Sequence, residues 1–161
     1  MTTRWLDPAE MAAWRSFIET FGDLMNALER DLAEHGVTMG DYQVLVFLSE
    51  ADGASMRMCD LAGALQLSPS GLTRRLDGLV KSGHVVRQPS PLDGRVMMAV
   101  LTDAGRELLE TTAPHHVESV RRHIFDQLDA DQVTAMASIF SAIGAAIKAD
   151  SDDPAAVGAP R

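Results

Sequence analysis

The chain contains a single cysteine, Cys59, among 161 residues. It cannot form an internal disulfide, and a reducing cytoplasm is the simplest setting for it. No run of about 18 apolar residues occurs, so neither a transmembrane helix nor a membrane partner is expected. Asp7 and Glu10 interrupt the N-terminal stretch, which does not read as a signal peptide. There is no Gly-rich phosphate loop, nucleophile elbow or metalloprotease motif. An enzyme is not expected, and no cofactor is implied. No internal repeat is visible. Metal-ligand spacing such as Cys-x-x-Cys is also missing. His116 and His123 lie seven apart, with His115 and Glu118 nearby, but they read as solvated or capping side chains. Cys59 reads as a small buried side chain near a helix start, and His84 as structural.

Basic charge is scarce overall, and the formal net charge is −9. That balance alone argues against a nucleic-acid partner. Its distribution argues the other way. Residues 54–95 hold six basic side chains (Arg57, Arg74, Arg75, Lys81, Arg87, Arg95) against three acidic ones (Asp60, Asp77, Asp93). The segment is therefore +3, and −12 remains on the rest. A basic lobe on an acidic body is compatible with DNA binding of marked salt dependence. A chance fluctuation of surface charge is the plainer alternative.

The most informative stretch runs from Leu67 to Val85. Ser68 is a natural N-cap and Pro69 fits the first helical position. Gly83 closes the helix just after Lys81. Leu72, Leu76 and Leu79 share one face at spacings of four and three. Ser70, Thr73, Arg74, Asp77 and Lys81 lie away from it. A helix held by a core on one side and fitted to a DNA major groove on the other needs this arrangement.

The remainder reads mainly as helix. Asp7, Pro8 and Glu10 form a capping box. Trp14, Ile18, Phe21, Met25, Leu28 and Leu32 follow at spacings alternating four and three, a long narrow seam ended by Gly36. Such a seam requires a partner helix, from this chain or from a second copy. Helices are predicted from Thr38 to about Glu50 and from Met58 to Leu65, and the tight Gln66-Leu67-Ser68 connection to the next helix suggests helix-turn-helix geometry. Val85 to Gln88 and Val96 to Leu101 read as two strands around the turn formers Pro89 to Gly94. Arg87 and Arg95 flank this wing, and Arg95 suits a narrow minor groove. A solvated hairpin tip is the alternative. Thr102 caps a helix to about Leu128, with a kink or break expected at Pro114. Asp129 to Gln132 form another capping box, and Met136, Phe140, Ile143 and Ile147 line the last helix. The tail over 149–161 reads as disordered.

The ordered pieces from Leu61 through Asp93-Gly94-Arg95 to Leu101-Thr102-Asp103-Ala104-Gly105 resemble the MarR family of transcriptional regulators. The resemblance covers about residues 8–148. It rests on the Asp-x-Arg wing signature at Asp93 and Arg95, followed by Leu101, Thr102 and Gly105. It implies a mainly α fold with a small β-hairpin wing: a winged helix-turn-helix lobe over 38–101 and a helical dimerisation region over 8–35 and 103–148. It implies a homodimer, double-stranded DNA as partner, and repression as the commoner mode. On this resemblance Ser70, Thr73 and Arg74 contact bases or phosphates, with Arg74 reading guanine. Arg75 and Lys81 hold phosphates, Arg95 enters the minor groove with Asp93 orienting it, and Asp77 either accepts from cytosine or braces an arginine. It further implies a small, anionic aromatic effector. Trp14, Arg15, Met39, Tyr42 and Met58, with Trp5 and Met56, are candidates to line its pocket, although Trp14 and the methionines also read as core. Gly71 and Gly78 depart from the larger residues common at those helix positions, and Gly94 replaces a frequent wing arginine. A winged helix that binds protein instead of DNA is the alternative function.

Overall fold

The computed structural model describes residues 2–152. The chain divides into two units, Met1–Ser119 and Val120–Arg161. The first begins with α1 (Pro8–Ala33), which starts where Asp7 accepts the N–H groups of Ala9 and Glu10 at 2.8 Å. Glu10 returns the bond to the Asp7 N–H at 2.9 Å, so the box is closed. Gly36, at φ +72°, turns the chain out of α1 into α2 (Met39–Glu50), whose N-cap is Thr38.

Next come β1 (Ser55–Arg57), α3 (Met58–Ala64), α4 (Pro69–Lys81), β2 (Val85–Pro89) and β3 (Met97–Leu101). Ser68 caps α4 through the Gly71 N–H at 3.1 Å. The strands form one antiparallel sheet in the order β1-β3-β2. Val85 faces Leu101, Arg87 faces Ala99, and Arg57 faces Met98. The sequence predicts the β2–β3 hairpin alone. β1 is only three residues long, too short to display a period of two.

One core serves the winged lobe. Val44, Leu45 and Leu48 of α2 meet Leu61 and Ala62 of α3, Leu72, Leu76 and Leu79 of α4, and Val85, Ala99 and Leu101 of the sheet. Each fully buried leucine contributes about 1.5–3 kcal/mol over an exposed one.

The helix α5 (Asp103–His123) is seated on the wing base. The Thr102 hydroxyl donates to the Gly83 carbonyl at 2.7 Å, with the His84 carbonyl 3.0 Å away, and accepts the Gly105 N–H at 3.0 Å. Gly105 is buried, and a Cβ there would collide with the His84 carbonyl oxygen. The Leu-Thr-x-x-Gly string thus has a packing reason. Helix α5 also runs unbroken through Pro114, where a kink or break was expected. Within the first unit, the Ser119 hydroxyl of α5 donates to the Asp31 carboxylate of α1.

Helix α5 ends at His123, short of the predicted Leu128, because Ile124 leaves helical dihedrals (φ −124°, ψ −72°) before the turn Phe125–Gln127. In the second unit, Asp129 and Gln132 close their capping box at 2.8 and 2.9 Å and start α6 (Ala130–Asp152). The expected disordered tail over 149–161 is corrected at its start, since α6 continues to Asp152; the remainder lies outside the described residues.

Two apolar stripes are exposed. On α1 they include Trp14, Ile18 and Phe21, and on α6 Ile139 and Ile143, each about half exposed. By length and composition alone, Ala130–Ala149 is apolar enough to cross a membrane, with mean hydropathy 1.3. The sequence criterion of an uninterrupted apolar run misses it, because Thr134, Ser138 and Ser141 interrupt the segment.

Gly105→Ala is expected to destabilise the fold by about 2 kcal/mol through overpacking on backbone. Gly94→Ala, open on all sides, is expected to stay within about 0.5 kcal/mol. Urea unfolding measures both, and equal midpoints would contradict the seating of α5.

Candidate nucleic-acid interface

The buried leucines of α4 set the rotation of the helix, and the opposite face is therefore fixed. Ser70, Thr73, Arg74, Arg75, Asp77 and Lys81 are exposed. Ser70 Oγ lies 3.2 Å from the capping Ser68 Oγ, and the Thr73 hydroxyl donates to the Pro69 carbonyl at 2.9 Å. Among the described residues no ion pair engages Arg74 or Arg95. Lys81 stands in the last turn of α4, where the helix dipole favours a cation.

Arg75 lies across the first turn of α2. A Cβ at Gly40 would overlap the Arg75 guanidinium, so the glycine makes room for it. A concavity of about 470 Å³ opens beside this contact, lined by Thr38, Asp41, Leu67, Gly71, Arg74, Arg75 and Gly78. Gly71 and Gly78, which stand where larger residues are common, here form part of its wall.

Arg87 is engaged within the lobe. Its Nη2 donates to the Thr73 carbonyl at 2.7 Å and to Asp77 Oδ1 at 2.9 Å. The Arg87 side chain is 25% exposed and that of Asp77 60%. Arg87 Nε is buried and, among the described residues, has no hydrogen-bond partner. The wing strand is thereby tied to α4, and Asp77 braces an arginine ten residues away in sequence but on another element.

The wing tip is ordered by its own hydrogen bonds. The Ser90 N–H donates to the Val96 carbonyl at 2.7 Å, and the Val96 N–H to the Asp93 carbonyl at 2.9 Å. Asp93 Oδ1 accepts the Arg95 backbone N–H at 3.0 Å. Asp93 therefore acts on the Arg95 backbone, and the guanidinium projects into solvent.

The candidate effector residues are spread over unit Met1–Ser119. Trp14 and Arg15 are exposed on α1, where the Trp14 and Phe17 ring centres are 6.1 Å apart. Trp5 is more exposed still. Met39 donates its N–H to Glu29 of α1 at 2.8 Å. Met56 and Met58 pack against the core. Tyr42 sits against His116 of α5, ring centres 4.5 Å apart. Burial raises the Tyr42 pKa and lowers that of His116. His116 Nδ1 is buried and, among the described residues, has no hydrogen-bond partner. Neither this concavity nor a second of about 240 Å³ beside Val37 and His84 is lined by Trp14, Arg15, Met39, Tyr42 or Met58. Cys59, expected to be buried, is exposed and donates weakly to Asp60 at 3.4 Å.

Sequence reasoning missed Gly40 as the seat of Arg75 and Thr73 as a partner of Arg87. Neither leaves a local signal, because each pairs positions remote along the chain.

Residues 35–96 match the model of the MarR family. The chain is similar to the HTH-type transcriptional regulator YkoM of Bacillus subtilis (strain 168), 30% identical over 122 residues, which is 76% of this chain and 77% of YkoM. It is similar in structure to AbsC, a MarR family transcriptional regulator from Streptomyces coelicolor, with TM-score 0.86 and 40% identity over 91% of this chain and 99% of AbsC. Sco3205, a MarR family regulator from the same organism solved in complex with DNA, gives TM-score 0.84 and 36% identity over 98% of this chain and 97% of its own.

A double-mutant cycle of Asp77→Asn and Arg87→Met, followed by urea unfolding, is expected to give a coupling of about 0.5–1 kcal/mol for this partly exposed pair. Additive effects would show that the two side chains do not act on each other.

Proposed function

The chain belongs to the MarR family of transcriptional regulators, and from that premise we propose that it binds pseudo-palindromic operator DNA as a homodimer, represses, and is released by a small anionic aromatic ligand. The observation that carries this reading is the split face of α4, with Leu72, Leu76 and Leu79 in the core and Ser70, Thr73 and Arg74 in solvent. Arg74 reads guanine O6 and N7 with both guanidinium donors. Arg75 and Lys81 hold phosphates, which fix register without carrying sequence information. Arg95 enters the minor groove. Asp77 and Arg87 support the interface through their mutual contact and hold the wing against α4.

The exposed stripe bearing Trp14, Ile18 and Phe21, and that bearing Ile139 and Ile143, supply apolar surface for a second copy. Two lobes related by a two-fold axis then address successive major grooves, with centres about 34 Å apart. A ligand releases the DNA only if it favours another separation of the lobes. The Tyr42–His116 pair between α2 and α5 provides an aromatic surface, and beneath it a buried ring nitrogen that has no hydrogen-bond partner among the described residues, a recognition point for an aromatic carboxylate once the pair parts.

The test is fluorescence anisotropy on a duplex from the gene's own upstream region, with sedimentation alongside. Arg74→Ala and Arg95→Ala are each expected to weaken binding by about 10- to 100-fold, the dimer remaining intact. Parental affinity at matched salt would contradict the contact assignment. Phe21→Asp, which puts an unpaired charge in the seam, is expected to abolish dimer and DNA binding together. A monomeric variant with full affinity would contradict the dimeric reading, and a parent that binds a protein partner but no duplex would favour an interaction module.

A further inference from the structure

Leu92, at the tip of the β2–β3 wing, is 97% exposed, more than any other large apolar side chain among the described residues. The tip holds it there. The Leu92 N–H donates to Ser90 Oγ at 3.2 Å, and the surrounding Ser90, Asp93, Arg95 and Val96 hydrogen bonds close the turn. Pro89 and Pro91 fix two backbone dihedrals on the approach. Such a turn has little conformational freedom left to lose on binding. Nothing in it requires leucine, since the bonds that shape it come from the backbone, Ser90 and Asp93.

The surroundings select the kind of partner. Ser90, Asp93, Gly94 and Arg95 around it are polar, charged or small, and its exposed apolar neighbours on the wing are Pro89, Pro91 and Met97, the last 42% exposed. Leu92 is therefore the foremost projection of a narrow tip interleaved with polar groups, not of a broad apolar face of the sort that docks proteins. So narrow a tip also gives a membrane little to hold. Three residues on, Arg95 supplies an exposed cation on the same tip, and Gly94 places no side chain before it. An isobutyl group beside a guanidinium matches a minor groove, whose walls are deoxyribose carbons and whose rim is phosphate. Single leucines and prolines serve as wedges of this type in minor-groove proteins.

We propose that Leu92 is a DNA contact that enters the minor groove beside Arg95 and wedges against one base step. This rests on the operator-binding reading above. The contact gives the wing a preference that Arg95 alone does not supply. Flexible pyrimidine–purine steps such as TA or CA open most readily to an apolar wedge, and are favoured at the flank that the wing touches.

The experiment uses the full chain and its own upstream duplex, with affinity measured across a salt series for the parent, Leu92→Ala, Leu92→Asn, Leu92→Met and Arg95→Ala. Unfolding curves matching the parent's are expected, because the side chain touches no core. Leu92→Ala and Leu92→Asn are expected to lose affinity roughly five- to tenfold at every salt concentration, since the lost contact is apolar. Leu92→Met retains it. Arg95→Ala, in contrast, lowers the slope of log affinity against log salt by about 1. Replacing the flanking flexible step is expected to weaken the parent and leave Leu92→Ala unaffected. If the parent binds and both Leu92→Ala and Leu92→Asn stay within about twofold of it, the wedge is overturned and operator binding stands. If the parent binds no duplex at low salt, the operator reading fails and the wedge with it.

Discussion

The seating of Leu72, Leu76 and Leu79 in the lobe core is the interaction on which the interface depends. Three buried leucines on one helix face fix its rotation, and rotation decides which side chains meet solvent. Arg74 and Thr73 are exposed because their neighbours on the helical wheel are not. The sheet extends the same constraint. Val85, Ala99 and Leu101 bury into that core, so the hairpin leaves the lobe in a set direction and carries Arg95 at its far end. Gly105 then brings α5 onto the His84 carbonyl, a contact that any larger residue would push apart.

Charge follows a second logic. Most of the chain is acidic, and six basic side chains between 54 and 95 work against that background. They do not all serve alike. Arg87 is engaged by Asp77 and by the Thr73 carbonyl, so it binds wing to helix. Arg75 lays its guanidinium over Gly40 at the start of α2 and is exposed as a residue. Among the described residues Arg74 and Arg95 carry no such tie, and both are exposed. An acidic body behind a basic lobe weakens non-specific attachment to phosphate, so on the proposed reading selectivity falls to the few groups that would reach the bases.

Local rules made much of the architecture legible. Asp7 with Glu10, Thr38 with Asp41, Ser68 with Gly71, and Asp129 with Gln132 mark helix starts through bonds made within four residues. The leucine spacing of α4 marks its core face. What stayed illegible depends on the third dimension. β1 is three residues whose strand character comes from pairing with β3, some forty positions on. The Arg87 clamp and the Gly40 seat join remote positions. The local cost of Pro114 predicts a kink or break, yet α5 continues through it. The candidate effector residues share a chemical type and no spacing, and the structure spreads Trp14, Arg15, Met39, Tyr42 and Met58 over α1, α2 and α3.

The most direct measurement is the affinity of the unmodified protein for its own upstream duplex between 50 and 200 mM salt, with binding stoichiometry from sedimentation. The expected result is two subunits per duplex and an affinity that falls by several orders of magnitude, on the order of 10³ or more for six or more phosphate contacts. A single subunit in solution, with no duplex bound even in dilute buffer, would contradict the account at its centre.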